Sequence, residues 1–208
     1  MLFRRSLMFG NLNAIPRGYI SIPYIEQTGS QWLDTEFIPN QDTKVQLKVM
    51  NLQVTGDVIF GYYTSTDLTD WRLFNYSSKI YFDIPGGSGY GNRLIDNTVN
   101  SFPINTIKEL ELGNFYITDL TTNTVLINGT TIANYTGTSS LKLGRYMNTS
   151  TSKNKWYYIK IYDGEVLARN MQPCIKISTN EPGLYDLVQG KFYGSETETF
   201  FVAGSEEE

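Results

Sequence analysis

Apolar and polar residues alternate along much of this chain. Over Asp42–Val49, Val45, Leu47 and Val49 fall on one face and Lys44, Gln46 and Lys48 on the other. A period of two marks a strand with one wet face. Ser78–Ile84 repeats the pattern, with Ile80, Phe82 and Ile84 together. Trp156–Tyr162 is apolar on both faces over most of its length, which predicts a central strand covered on both sides. Turn chemistry separates the runs: Asn128-Gly129 and Asp163-Gly164 are two-residue hairpin signals, and Gln189-Gly190 suits a third hairpin. Pro85–Gly91, with four glycines, predicts an exposed loop. No apolar stripe of helical period and length occurs. About a dozen short strands at this spacing predict an all-β, two-sheet antiparallel sandwich. Its core should hold Val45, Leu47, Val49, Ile80, Phe82, Ile159 and Ile161.

Residues 1–18 break the pattern and read as an arm. It carries Leu2, Phe3, Leu7, Met8, Phe9 and Leu12, too apolar for a solvated tail. Arg4 and Arg5 precede an apolar run far shorter than the ~7–15 residues of a signal peptide's core. The arm is expected either to pack on its own domain or to dock on a neighbour, and an assembly contact through Leu2, Phe3, Arg4, Arg5, Leu7, Met8 and Phe9 is the reading taken forward. Residues 19–204 form the sandwich, and 205–208 an acidic tail.

Composition narrows the chemistry. The 208 residues contain no histidine, which removes His-based triads, His-ligated zinc and imidazole pH switches. Cys174 is the single cysteine, so no intrachain disulfide can form, and it reads as an inert buried thiol. A net charge of −4 offers no broad cationic field, so no nucleic-acid partner is expected. No stretch approaches the ~20 apolar residues of a membrane span. Four glycosylation sequons, at Asn75, Asn128, Asn134 and Asn148, are what an Asn- and Thr-rich chain yields by chance.

Three chemistries remain. Glu109 and Glu111 project from one face of one strand, the wet face if Lys108, Leu110 and Leu112 point inward. They lack the third carboxylate of the sandwich glucanases, and Glu196 and Glu198 sit in a Ser/Thr-rich turn, so no enzyme is expected. Asp57, Asp67, Asp70 and Asp96 offer oxygen ligands of the calcium type, but without EF-hand spacing they read as turn residues, and no cofactor is predicted. Sugar recognition is best supplied. An aromatic platform with planar polar groups suits a sugar's apolar faces and hydroxyl edges. Around the Gly-rich loop stand Tyr62, Tyr63, Trp71, Arg72, Tyr76, Tyr90, Asn92 and Arg93, although alternation must send about half of these rings into the core.

Two segments carry a resemblance. Tyr24–Phe37 reads YIEQTGSQWLDTEF, similar to the opening of many laminin-G-like, concanavalin A-like jelly-roll proteins. Lys155–Arg169, Pro173-Cys174, Gly183–Tyr193 and Phe201–Gly204 are similar to that group's closing strands. The match brackets residues 24–204, and the middle, about 60–150, carries no aligned motif. The resemblance implies a concanavalin A-like jelly-roll β-sandwich in which Gly29, Gln31, Asp34, Thr35, Tyr185, Asp186, Gly190 and Phe192 serve the fold. It implies no shared catalytic residue, because the fold hosts lectins, glucanases and structural modules alike. Such proteins are common in phages and mobile elements of gut bacteria. The expected role is therefore a bacteriophage virion protein (decoration, fibre or tail-associated), assembled in the host cytoplasm as an oligomer with other virion proteins and displaying a lectin-like domain toward host-surface glycans. A carbohydrate-binding module working alone is the alternative, and a glycoside hydrolase a more distant one.

Overall fold

The protein is described by a computed structural model covering residues 14–53, 58–62, 70–85, 93–96, 98, 100–129, 135–145 and 152–205. The alternating runs form seventeen strands, and no helix occurs among these residues. In chain order they begin β1 (Tyr19–Ser21), β2 (Ile25–Gln27), β3 (Leu33–Asp34), β4 (Thr43–Asn51), β5 (Val58–Tyr62) and β6 (Trp71–Tyr76). There follow β7 (Lys79–Asp83), β8 (Arg93–Ile95), β9 (Ile107–Gly113), β10 (Tyr116–Asp119), β11 (Thr124–Asn128) and β12 (Lys142–Leu143). The last five are β13 (Asn154–Asp163), β14 (Val166–Lys176), β15 (Glu181–Asp186), β16 (Lys191–Tyr193) and β17 (Val202–Ala203).

They make two antiparallel sheets, of eleven and six strands, stacked as a jelly-roll β-sandwich. The larger runs β11-β10-β9-β4-β13-β14-β15-β16, with β1 on β14 and β2 joining β13 to β17. The smaller runs β3-β12-β5-β6-β7-β8. All seven core residues read from the alternation are buried, together with Trp71, Trp156, Phe60 and Phe102.

The strand at the centre of the large sheet departs from expectation. In β13, Trp156 lies opposite Val49 and Tyr158 opposite Lys48, so Tyr157 is an extra, bulged residue. A bulge shifts the inside–outside phase by one position. Trp156, Ile159 and Ile161 therefore all face the core, while Tyr158, Lys160 and Tyr162 face outward and are half-buried. The run looks apolar on both faces because two phases are spliced together, and its tyrosine face is not covered by another layer.

Two of the three hairpin signals hold. Asp163-Gly164 turns β13 into β14, and Gln189-Gly190 lies in the β15–β16 turn. At Asn128-Gly129 the Gly129 N–H goes on to the Phe115 carbonyl, extending the pairing of β11 with β10, and residues 130–134 that would complete a hairpin lie outside the described residues. The turns in this part of the chain are at 114–115 and 120–123, where Phe115 and Asn123 take positive φ. Pro173 lies within β14 without breaking the sheet. β14 pairs with β13 up to Met171 and with β1 from Cys174 onward, so the proline, which has no N–H, falls at the changeover between partners.

Between the layers runs a line of buried amides. Asn75 of β6 donates to Asn51 of β4, Asn51 to Asn154 of β13, and Asn154 to Gln27 of β2, at 3.3, 3.0 and 3.1 Å. Gln27 ends the line on the carbonyls of Gln31 and Gly144. Gly144 has φ +64° and no room for a Cβ against the Gln27 amide, so glycine is required there.

Six of the eight residues that the resemblance assigns to the fold make side-chain contacts within the sandwich. The Gln31 amide donates to the Phe200 carbonyl, and Thr35 Oγ1 to the Leu141 carbonyl. Asp34 accepts from Ser140 Oγ, and Asp186 from the backbone N–H groups of Asn170 and Val188. Tyr185 and Phe192 pack on the ring of Tyr19. Of the arm, Leu2, Phe3, Arg4, Arg5, Leu7, Met8 and Phe9 lie outside the described residues. Residues 14–18 lead into β1, and the Gly18 carbonyl accepts from Ile177 N–H on the same sandwich.

Candidate functional site

The outward side of the large sheet gathers the most chemistry. Register decides which side chains meet. Reading from β10 across to β14, one row carries Thr118, Glu111, Gln46, Lys160 and Asn170. The next row carries Glu109, Lys48 and Tyr158. At the other end of β4, Lys44 lies opposite Tyr162, and Tyr116 stands at the start of β10. Opposed side chains in an antiparallel pair have Cβ atoms about 4.5–5.5 Å apart, so these groups form one continuous surface.

Hydrogen bonds tie the surface together. Tyr116 O–H donates to Glu111 Oε1 at 2.9 Å, and Gln46 Nε2 to Glu111 Oε2 at 2.8 Å. Tyr158 O–H donates to Glu109 Oε1 at 2.6 Å. Burial, and then the bond to a carboxylate, push the Tyr116 and Tyr158 phenols well above the ordinary tyrosine value, so both stay protonated donors through neutral pH. Lys44, Lys160 and Lys48 lie 4.9, 5.5 and 5.5 Å from the ring centroids of Tyr162, Tyr158 and Tyr157. Cations so placed over rings hold them in position.

Two hollows open on this face. One, of about 330 Å³, is lined by Tyr158, Lys160, Asn170, Gln172 and Leu187. The other, of about 270 Å³, lies among the turns, lined by Gln41, Asp42, Thr43, Lys44, Gly113, Asn114, Tyr116, Gly164 and Glu165. Rings, amides and charged groups beside shallow hollows can stack on a sugar and bond its hydroxyls.

Of the residues singled out around the Gly-rich loop, the described ones divide between core and surface. Trp71 is wholly buried, its ring edge-on to Phe60 and Phe82, so it is a core residue and no sugar platform. Tyr62 is buried as well, and its O–H accepts the Thr138 N–H. Tyr63, Tyr90 and Asn92 lie outside the described residues. Arg72, Tyr76 and Arg93 do share a surface, the outer side of the small sheet. Arg72 and Arg93 both bond Asp83, at 2.7 and 2.9 Å, and both lie over the Phe74 ring. Tyr81 stacks on Phe74, with Tyr76 edge-on beyond it. Arg72 is nearly buried in this network, leaving Tyr76 as the exposed ring.

Glu109 and Glu111 do point outward, as the alternation requires, while Leu110 and Leu112 enter the core. Lys108 turns to Asp119 at 2.7 Å. Of the loop aspartates, Asp57 and Asp67 lie outside the described residues. Asp96 caps its own turn through Thr98 N–H, and Asp70 lies 3.8 Å from Arg72. Among the described residues no three acidic or sulfur side chains converge on one point. Cys174 is buried, which pushes its thiol up to about 12.

Tyr116, Tyr158, Tyr162 and Gln46 are absent from the set read in sequence. The signal for them was present, because alternation placed Lys44, Gln46, Lys48, Glu109 and Glu111 on wet faces. Pairing β4 with β9 and β13 makes those separate wet faces one.

Comparison with known proteins finds no matching family model, no matching curated protein and no matching solved structure.

Proposed function

We propose that this protein is a glycan-binding jelly-roll sandwich serving as a non-catalytic adhesion subunit of a bacteriophage virion. The observation that supports the binding role is the outer face of the large sheet. Its tyrosines, Gln46, Asn170 and Gln172 combine stacking surface with directional hydrogen bonding beside two hollows. The virion setting is supported by the resemblance of the two end segments to phage-associated jelly rolls. On this reading the apolar arm contacts neighbouring virion proteins.

The binding role is tested on a glycan array with the full chain. Retention of one family of glycans is expected, with loss on Tyr158→Ala or Tyr162→Ala in variants whose melting temperature is unchanged. Retention of no glycan, or retention indifferent to both variants, would overturn it. The virion setting is tested separately: antibody to the purified protein should label intact phage particles from a culture expressing it, and labelling of debris alone removes that part of the proposal.

A further inference from the structure

Charge on the outer face is distributed unevenly. Several cations elsewhere in the described structure are paired with carboxylates, Arg72 and Arg93 with Asp83, Lys108 with Asp119, Lys142 with Asp34, Arg169 with Asp186 and Lys191 with Glu36, while Arg145, Lys155 and Lys176 lie over the rings of Trp32, Tyr24 and Phe192. Among the described residues Lys44, Lys48 and Lys160 have no carboxylate within ion-pair distance, and they rest on tyrosine rings. The nearest acids on the face are occupied, Glu109 by the Tyr158 hydroxyl and Glu111 by Tyr116 and Gln46.

Register spaces these cations. Lys160 lies opposite Gln46, diagonal to both Lys44 and Lys48. Diagonal neighbours across an antiparallel pair stand about 7–8 Å apart at the backbone, so the three lysines zigzag across the centre of the sheet. The two hollows differ in kind. The one by the turns includes Asp42 and Glu165 beside Lys44, and its charges are mixed. The one beside β14 has Lys160 as its single charged lining group. Around that ammonium stand the Tyr158 ring and Leu187 as apolar surface and the amides of Asn170 and Gln172, the latter bonded to the former at 2.8 Å. Its volume falls at the lower end of the ~300–1,000 Å³ of ligand pockets, which suits a small ring more than an extended chain.

We propose that this hollow takes the carboxylate-bearing ring of an acidic glycan, of the uronic or sialic acid class. Lys160 is the counter-ion of the carboxylate, Tyr158 and Leu187 meet the apolar side of the ring, and Asn170 and Gln172 bond its hydroxyls. Lys48 and Lys44 serve acidic groups on adjoining residues of the same polymer. The assignment rests on the glycan-binding reading above and specifies its ligand.

The test is titration calorimetry of the full chain with three acidic oligosaccharides: oligogalacturonate, hyaluronan fragments and oligosialic acid. Each is paired with its methyl-esterified, neutral form. At least one acid should bind about tenfold or more tighter than its ester, as expected when a charge-assisted hydrogen bond is lost. Its affinity should fall with added sodium chloride and drop about tenfold in Lys160→Gln, while Lys176→Gln, on another part of the sheet, leaves it unchanged. If esters bind as tightly as acids, the inference fails and the glycan-binding reading stands. If neither acids nor esters bind and the glycan array is also empty, both fail. If single-stranded DNA or dextran sulfate binds as tightly as the best acid, the face is a general polyanion surface and the proposed pocket is wrong.

Discussion

Ile161 shows how far a single side chain carries the fold. It is wholly buried, on a strand flanked by β4 and β14, and it lies in register with Val45 and Arg169. Truncation there leaves a cavity between paired strands, so Ile161→Ala should cost about 2–5 kcal/mol in urea unfolding. A loss below about 0.5 kcal/mol is what an exposed position gives, and would contradict the placement. Ser77 and Ser78 illustrate the opposite sign. Both take positive φ, 53° and 58°, in the two-residue turn joining β6 to β7. Left-handed backbone costs a non-glycine residue roughly 1–2 kcal/mol. Asn-Gly is the pair this turn favours, so Ser77→Asn with Ser78→Gly should stabilise the protein by about 1 kcal/mol, read as a higher melting temperature. No hairpin is written in a Ser-Ser pair, which is why this turn could not be read from composition.

At the scale of elements, the β9–β10 hairpin has its own acid sensitivity. Burial alone would raise Asp119, but the Lys108 ammonium at 2.7 Å outweighs it, helped by N–H groups of the following turn, and holds the carboxyl below its ordinary value of 3.8. A depressed folded pKa contributes stability that is complete above the ordinary value and is lost as pH falls through the folded one. Asp119→Asn should therefore destabilise the protein at pH 6, by about 1.5–3 kcal/mol for a charge-assisted bond, and the gap to the parent should narrow toward pH 2. A gap that does not change with pH would mean the ion pair contributes nothing. β13 is the element that hid the candidate site. Its composition reads as a strand buried on both sides, because one bulged tyrosine switches the phase midway and no single alternation fits the run. Pairing with β4 exposes the switch, and pairing is a long-range fact.

For the whole molecule, the sandwich was legible because period-two alternation and turn residues are local signals that the two-sheet arrangement uses directly. Which face of each strand turns inward was legible only where one side was polar. Trp71–Tyr76 has rings on both sides, so its sequence cannot say that Trp71 enters the core while Tyr76 stays exposed; the facing sheet decides. Among the described residues the core runs from Tyr24 to Phe201. If residues 1–13 serve assembly as proposed, deleting them should leave the melting temperature within a few degrees of the full chain. A collapse of the transition would show that those residues complete their own sandwich, and would remove the assembly role proposed for them.

The line of amides from Asn75 to Gln27 has a consequence for the conditions the protein tolerates. Every group in it is an uncharged carboxamide, donating in one direction and ending on backbone carbonyls. Amides neither gain nor lose protons in the range where proteins work, and this chain has no imidazole to do so elsewhere. The polar seam joining the layers is thus blind to acidity. Between about pH 5.5 and 7 this clamp between the sheets keeps the same strength.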